Sequence, residues 1–136
     1  MIVADVNAIV SLTIRSEQSA LAEAVYEVDA SWAAPLLWLS EYRNTLAKYV
    51  QFRGMTLESA LLALRSAEEI IRGREYSVSS EKVLELAKQS GCTAYDCEYV
   101  ALAQDLGVPL MTTEEKVLRA FPKTAVALEK FAKRKK

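Results

Sequence analysis

Asp5, Glu41, Asp96 and Glu114 stand where predicted strands give way to helices, or just inside the helix that follows. They are spread over almost the whole chain. In a parallel α/β fold, however, strand ends and helix starts converge on one edge of the sheet, where ligands bind. Clustered carboxylates repel one another unless a cation lies between them. A divalent metal site is therefore the first chemistry to weigh. Mg2+ and Mn2+ prefer carboxylate and water oxygens, and such an ion activates a bound water and neutralises charge building on a phosphoryl group. The chain has no histidine, which excludes Ser-His-Asp and Cys-His catalysis and any imidazole-based metal site. Its four glycines are isolated at predicted helix ends, so there is no glycine-rich phosphate loop.

Each acidic position also has a purely structural reading. Asp5 could cap the helix that follows it. Thr93-Ala94-Tyr95-Asp96 has the spacing of a capping box, and Thr112-Thr113-Glu114-Glu115 fits the same box through Glu115. Glu114 would then be a favourable charge near a helix dipole. Asp96 is less easily dismissed. At about 100° per residue, Tyr99, Val100 and Ala103 share its helix face, where an unpaired charge is costly. Asp105 falls on the opposite, solvated face. Glu41 lies about one turn into a helix, with Asn44 and Lys48 continuing a polar strip, a pattern that a solvated face would share.

The elements that must position these residues alternate in type. Short apolar runs at 1–4, 32–35 and 108–111 predict buried parallel strands, with a weaker strand at 75–78 and an edge strand at 124–128. Between them the patterns predict helices over 7–15, 17–28, 37–52, 56–72, 80–89, 93–106 and 114–120, several ending at glycine. Pro109 is tolerable at a strand start. Strands alternating with helices imply a parallel sheet covered on both faces.

A length of 136 residues implies one domain, 1–136, with a short basic tail from about residue 131. With 51 % hydrophobic and 26 % charged residues the composition is that of a soluble globule. The net charge of −1 provides no global attraction for nucleic acid, so such a partner would need a local basic patch. Lys133-Arg134-Lys135-Lys136 is one candidate, read here as a solvated tail. No stretch approaches the roughly 20 apolar residues of a membrane span, and the N-terminus is not patterned as a signal peptide. Cys92 and Cys97 are spaced unfavourably for a disulfide, which suits a reduced, cytoplasmic setting.

Four segments in order resemble the PIN-domain nucleases, in particular the VapC-type toxins of prokaryotic toxin–antitoxin pairs. They are Ile2–Val10, Ser40–Leu46, Tyr95–Ala103 and Leu106–Thr112. The resemblance implies a three-layer α/β/α sandwich around a short central parallel sheet of four to five strands. It further implies one or two Mg2+ or Mn2+ ions and hydrolysis of RNA phosphodiester bonds. By the same resemblance Asp5 and Asp96 would be the principal metal ligands, Glu41 would complete the catalytic cluster, and Asn7 and Thr112 would support it. The family's last acidic residue is usually Asp, whereas this chain offers Glu114, or Glu115 beside it. A cognate antitoxin and a homodimer are implied as partners.

Trp38, Tyr42, Thr45, Tyr49 and Phe52 form a stripe that suits internal packing or a partner surface equally. With the helix from Thr56 it makes a hairpin that members of this family often use to dimerise. Arg53, Arg72 and Arg74 are read as a cluster near the hairpin ends that contacts RNA phosphates. Two other readings compete with the nuclease. One is a PIN-like module without turnover that binds RNA or a protein. The other is a phosphotransfer enzyme using Asp5, which would want a further acid at the position of Asn7.

Overall fold

A computed structural model describes residues 1–134. Five short strands, β1 (Ile2–Ala4), β2 (Trp32–Pro35), β3 (Glu75–Tyr76), β4 (Leu110–Thr112) and β5 (Ala125–Ala127), form one sheet in the order β3-β2-β1-β4-β5. Every pairing is parallel. β1, β2 and β4 are buried throughout, as strands sandwiched between helical layers must be.

The helices are α1 (Val6–Thr13), α2 (Ser19–Val28), α3 (Trp38–Phe52), α4 (Leu57–Ile71), α5 (Ser80–Ser90), α6 (Ala94–Leu106), α7 (Glu115–Ala120) and α8 (Leu128–Ala132). α5 packs on α6, and α6 covers β1, β2 and β4; α1 packs with α2, α3 and α4, and α8 extends that layer against α2. The result is an α/β/α arrangement. Its chain order reverses between β1 and β4. The connection from β1 leads outward to β2 and β3, then returns to β4 on the other side. At such a switch point the loops leaving the two strands diverge and open a crevice at their carboxyl ends. Asp5 follows β1 directly and Thr112 ends β4, so both stand on that crevice.

Local sequence sets the helix starts around it. Asp5, Thr56, Ser79 and Thr93 each cap a helix with a side-chain oxygen accepting a backbone N–H. Gly91 and Gly107 end α5 and α6 in the left-handed conformation, at φ 72° and 66°, where a side chain is disfavoured. The first of these turns delivers the chain to Thr93, and hence fixes where α6 begins.

Several boundaries differ from the sequence expectation. α1 begins at Val6, because Asp5 rather than Asn7 supplies the cap. β4 spans Leu110–Thr112 rather than 108–111. Its extent is set by pairing with β1 and β5, and Pro109, which has no N–H, joins only through its carbonyl, which accepts the Val3 N–H at 2.9 Å. The second expected capping box does not form. Thr112 is the last residue of β4, and Glu114 occupies the cap position of α7 without a side-chain cap bond.

The basic tail does not start at residue 131. Leu128 and Phe131 lie on one face of α8 and are buried, Phe131 to 4 % exposure. Their spacing holds the helix against the core, and only Lys133 and Arg134 remain exposed beyond it. The remainder of the expected basic patch, Lys135 and Lys136, lies outside the described residues.

The aromatic stripe divides in two. Trp38 and Tyr42 are buried and meet edge to face, whereas Phe52 is 79 % exposed. The α3–α4 hairpin reaches past the core, so only its base is covered. Arg53, Arg72 and Arg74 do not form a cluster. The fifteen-residue α4 places the tip of the hairpin about 22 Å from its base, with Arg53 at one end and Arg72 and Arg74 at the other. Arg74 donates to the carbonyls of Trp32 and Ile70, and Arg72 pairs with Glu69. Arg74 thereby ties the end of α4 to β2, whereas the Arg72 pair is an exposed one at the last turn of α4.

If α8 is an integral part of the core, Phe131→Ala should cost about 3 kcal/mol or more, the usual loss for truncating a buried phenylalanine. Urea denaturation followed by circular dichroism would read it. An unchanged midpoint would return the segment to the status of a tail.

Candidate metal centre at the carboxyl edge of the sheet

Asp5 is held by three donors. One carboxylate oxygen accepts from the Ala8 N–H at 2.9 Å; the other accepts from the Thr112 hydroxyl at 2.7 Å and the Thr113 N–H at 3.3 Å. The side chain is thereby tied to α1 and β4 together, with the residue only 8 % exposed. The capping reading and the site reading of Asp5 are both realised, in one rotamer. Thr112 also acts in the other direction. Its hydroxyl oxygen accepts the Glu114 N–H at 3.0 Å, turning the chain into α7.

Glu41 lies in the first turn of α3 and is half-buried. Its Oε1 accepts from the Tyr99 hydroxyl at 2.7 Å. Asp96 is in the first turn of α6, where its N–H bonds the Thr93 hydroxyl oxygen at 3.0 Å and its carboxylate stays free of the cap. Glu114 shares a depression with Asp96, and the two carboxyls repel each other. Asp5, Asn7, Glu41, Asp96, Tyr99, Thr112 and Glu114 all line one depression at the switch point. Glu115, the alternative to Glu114, is exposed in α7 and does not line it.

The depression has a volume of about 30 Å³. That is roughly one water's share of space, too little for an organic ligand and adequate for an ion. Val6, Leu110 and Val117 close its apolar floor, and no lysine or arginine lines it among the described residues. Burial, opposed by the hydrogen bonds from Thr112 and the backbone, raises the carboxyl of Asp5 above the ordinary aspartate range, and Asp96 adds repulsion. Burial likewise raises Glu41, with Asp96, Asp5 and Glu98 repelling it and the Tyr99 bond acting the other way. Glu114 is raised by burial, then by the charges of Asp96 and Asp5. Tyr99 is pushed far upward by burial and by Glu41, so its phenol stays a proton donor.

Carboxyl groups brought this close share a proton or a cation. Among the described residues no three Asp, Glu or Cys side chains already surround a common point as a closed ligand set. Asp5 and Glu41 instead spend oxygens on Thr112 and Tyr99. The donor set is nonetheless all hard oxygen, partly buried and without a compensating positive side chain, which is what Mg2+ or Mn2+ requires. The N-terminal turns of α1, α3 and α6 converge here and add positive dipole ends that favour anions. The four acids were found from the sequence, but the Tyr99–Glu41 bond was not. Tyr99 lies one turn beyond Asp96 on the same face, and that spacing was the available signal. Cys92 and Cys97 are free thiols, both buried, and do not line the depression.

The α/β fold that carries this depression is PIN-like and is shared by known proteins. No protein-family model matches the chain. Ribonuclease VapC3 of Pyrobaculum aerophilum is 29 % identical over 127 residues, spanning 89 % of this chain and 95 % of its own length. The crystal structure of PAE2754 from Pyrobaculum aerophilum superposes with a TM-score of 0.72 at 21 % identity, covering 96 % of this chain and 92 % of that one. FitAB bound to an IR36 DNA fragment gives a TM-score of 0.73 at 15 % identity over 94 % of this chain and 95 % of its counterpart. The resemblance to VapC-type PIN-domain proteins read from the four segments therefore holds along nearly the whole chain, in sequence and in fold.

The raised carboxyls fix a pH dependence. Asp5, Glu41 and Glu114 hold protons more tightly folded than unfolded, where 3.8 and 4.5 are the ordinary Asp and Glu values. Their contribution to stability is fully present below those values and is lost as pH climbs through the raised ones. Asp96 repels all three. In EDTA, Asp96→Asn should therefore melt above the parent protein at about pH 8, the advantage closing towards about pH 4. A variant no more stable than the parent at the higher pH would remove mutual repulsion as a feature of the site.

Proposed function

We propose that the protein is a metal-dependent endoribonuclease, the toxin of a type II toxin–antitoxin pair. The observation that carries this reading is the convergence of Asp5, Glu41, Asp96 and Glu114, from four separate segments, on one ion-sized depression without a positive side chain. The likeness to a protein named Ribonuclease VapC3 supports the substrate class, and the likeness to FitAB, a complex on DNA, supports a toxin with an antitoxin partner. No described helix is long and apolar enough to cross a membrane. A cytoplasmic location follows from the proposed RNA substrate.

Asp5 and Asp96 would hold Mg2+ or Mn2+, with Glu41 and Glu114 completing the charge of the site. When bound, the ion lowers the pKa of a water and offsets charge on the phosphodiester. Asp5 is the fixed point, because its three hydrogen bonds leave it one orientation. Glu41 receives the proton of the attacking water and is aimed by the Tyr99 hydroxyl, which never itself ionises at working pH. Thr112 keeps Asp5 and Glu114 in register through its two hydrogen bonds. The helix N-termini favour the incoming phosphate. In-line attack would leave a 5′-phosphate.

Incubation of the protein with a mixed RNA pool and manganese should give cleavage that EDTA abolishes and Asp5→Asn lowers by about 100-fold or more, the scale of losing a principal charge-stabilising group. The alternative is a module of the same fold without turnover, favoured by the exposed Glu114 and the open ligand set. It predicts manganese binding by calorimetry with no cleavage.

The exposed hairpin tip supports a homodimer. Phe52, Leu57 and Leu61 are 79, 67 and 43 % exposed, and Leu57 and Leu61 lie one turn apart on a single face of α4. Leu57→Glu together with Leu61→Glu should convert a dimer into a folded monomer in sedimentation equilibrium. A parent protein that is already monomeric at micromolar concentration would rule this surface out.

A further inference from the structure

A second concavity lies at the same edge of the sheet, on the β2–β3 side. It has a volume of about 400 Å³, within the range of pockets that bury an organic ring. Leu36, Val78, Val83 and Leu84 wall it together with the half-buried Tyr76, and Ser77 and Ser80 add hydroxyls. Glu98 is its sole charged side chain among the described residues. Leu36 and Leu84 are more than half exposed, so the walls are uncovered apolar surface.

The groove adjoins the acidic depression through two helix starts. Leu36 precedes α3, which carries Glu41; Ala94 and Glu98 belong to the first turns of α6, which carries Asp96. β2 and β3 lie one and two strand spacings from β1, roughly 5–10 Å, so the two concavities are about a nucleotide apart. At about 100° per residue, Tyr95 falls on the arc of α6 between Asp96 and Glu98. It is 61 % exposed, and nothing in the monomer accounts for a tyrosine standing free there. It lines neither concavity itself, but its neighbours on the helix do, Asp96 the depression and Ala94 and Glu98 the groove.

We propose that this groove is a nucleobase subsite. It takes an unpaired base beside the scissile phosphate, stacked on Tyr95, with the Glu98 carboxylate accepting from the amino edge of the base. This rests on the ribonuclease reading above. The charge pattern decides which part of RNA enters. A groove with one carboxylate and no cation repels a phosphate but suits the neutral face of a base. Sequence-selective RNA recognition works this way, on splayed single-stranded bases stacked on aromatic rings and read along their edges. A carboxylate accepts from the amino groups of cytosine, adenine or guanine, as in glutamate–cytosine contacts. Uracil presents a carbonyl oxygen instead and is disfavoured.

The test uses short single-stranded RNAs that differ only at the nucleotide beside the cleaved bond, one of them abasic, with kcat/KM measured in manganese. The parent protein should prefer an amino-bearing base over uracil by about ten-fold, and Glu98→Gln should shrink that ratio several-fold. Tyr95→Ala should lower kcat/KM on intact RNA by about ten-fold or more, mainly through KM, and Tyr95→Phe should restore it. On the abasic RNA Tyr95→Ala should cost nothing further. Equal penalties on intact and abasic RNA, or base preferences untouched by both substitutions, would overturn the subsite and leave the groove to a protein segment. Binding of the same RNAs to Asp5→Asn, with and without Glu98→Gln, is read by fluorescence anisotropy. If the parent cleaves no RNA, the nuclease reading fails, and the anisotropy ratios still decide the subsite. Discrimination there upholds it; its absence overturns it.

Discussion

Repulsion among carboxyl groups that the backbone will not let separate is the constraint on which this molecule turns. Asp5 cannot move, because its oxygens are bonded to the start of α1 and the end of β4. Asp96 cannot retreat, because Thr93 fixes the first turn of α6. Glu41 is pinned by Tyr99. A soluble protein gains nothing in stability from such an arrangement when it is alone. The mutual repulsion is a demand for positive charge that no side chain of the depression supplies, and under the proposed function a bound ion would meet it. Stability withheld at a site in this way is commonly the counterpart of function.

The sheet makes that concentration of charge possible. Parallel strands need long crossovers, so residues adjacent in space at the carboxyl edge are necessarily remote in sequence. Asp5 and Thr112 meet across 107 positions through a single 2.7 Å bond, because β1 and β4 are neighbours. The reversal of strand order between them opens the crevice into which the acids project. Thr112 shows how few groups are needed. One hydroxyl donates to Asp5 and accepts from the Glu114 N–H, and so joins the first and last acidic positions.

Much of this was legible in the residues, and the parts that were not share a cause. Apolar runs gave β1 and β2, and Thr56 and Thr93 gave the starts of α4 and α6, because those signals are local. The extent of β4 was not legible, because a parallel strand is bounded by its partners. Val108-Pro109 is as apolar as Leu110-Met111, but Val108 has no strand partner and Pro109 contributes only its carbonyl, to the Val3 N–H. α8 was hidden because Lys130 and the basic residues that follow the helix resemble a tail, while its register depends on Leu128 and Phe131 finding the core beside α2. The three arginines looked clustered because they flank one hairpin. An antiparallel pair of helices puts the end of the first at the tip and the end of the second at the base. The four acids named by type and position do line one depression, and Tyr99 was not named, because a tyrosine on an apolar face looks like packing until its hydroxyl has a partner.

The same edge of the sheet carries two chemically opposite concavities, and their adjacency is itself informative. One is acidic and ion-sized; the other is apolar and large enough for a ring. A polyanion with alternating phosphates and flat bases has this periodicity, charge followed by a neutral aromatic face. A chain that met only a metal ion would have no use for exposed Leu36, Leu84 and Tyr95 around it, since each leaves apolar surface in water. A chain that met only a protein partner would not need its acids held against their own repulsion. Both costs are explained together if one ligand spans both places, with its phosphate against the acids and its base in the groove.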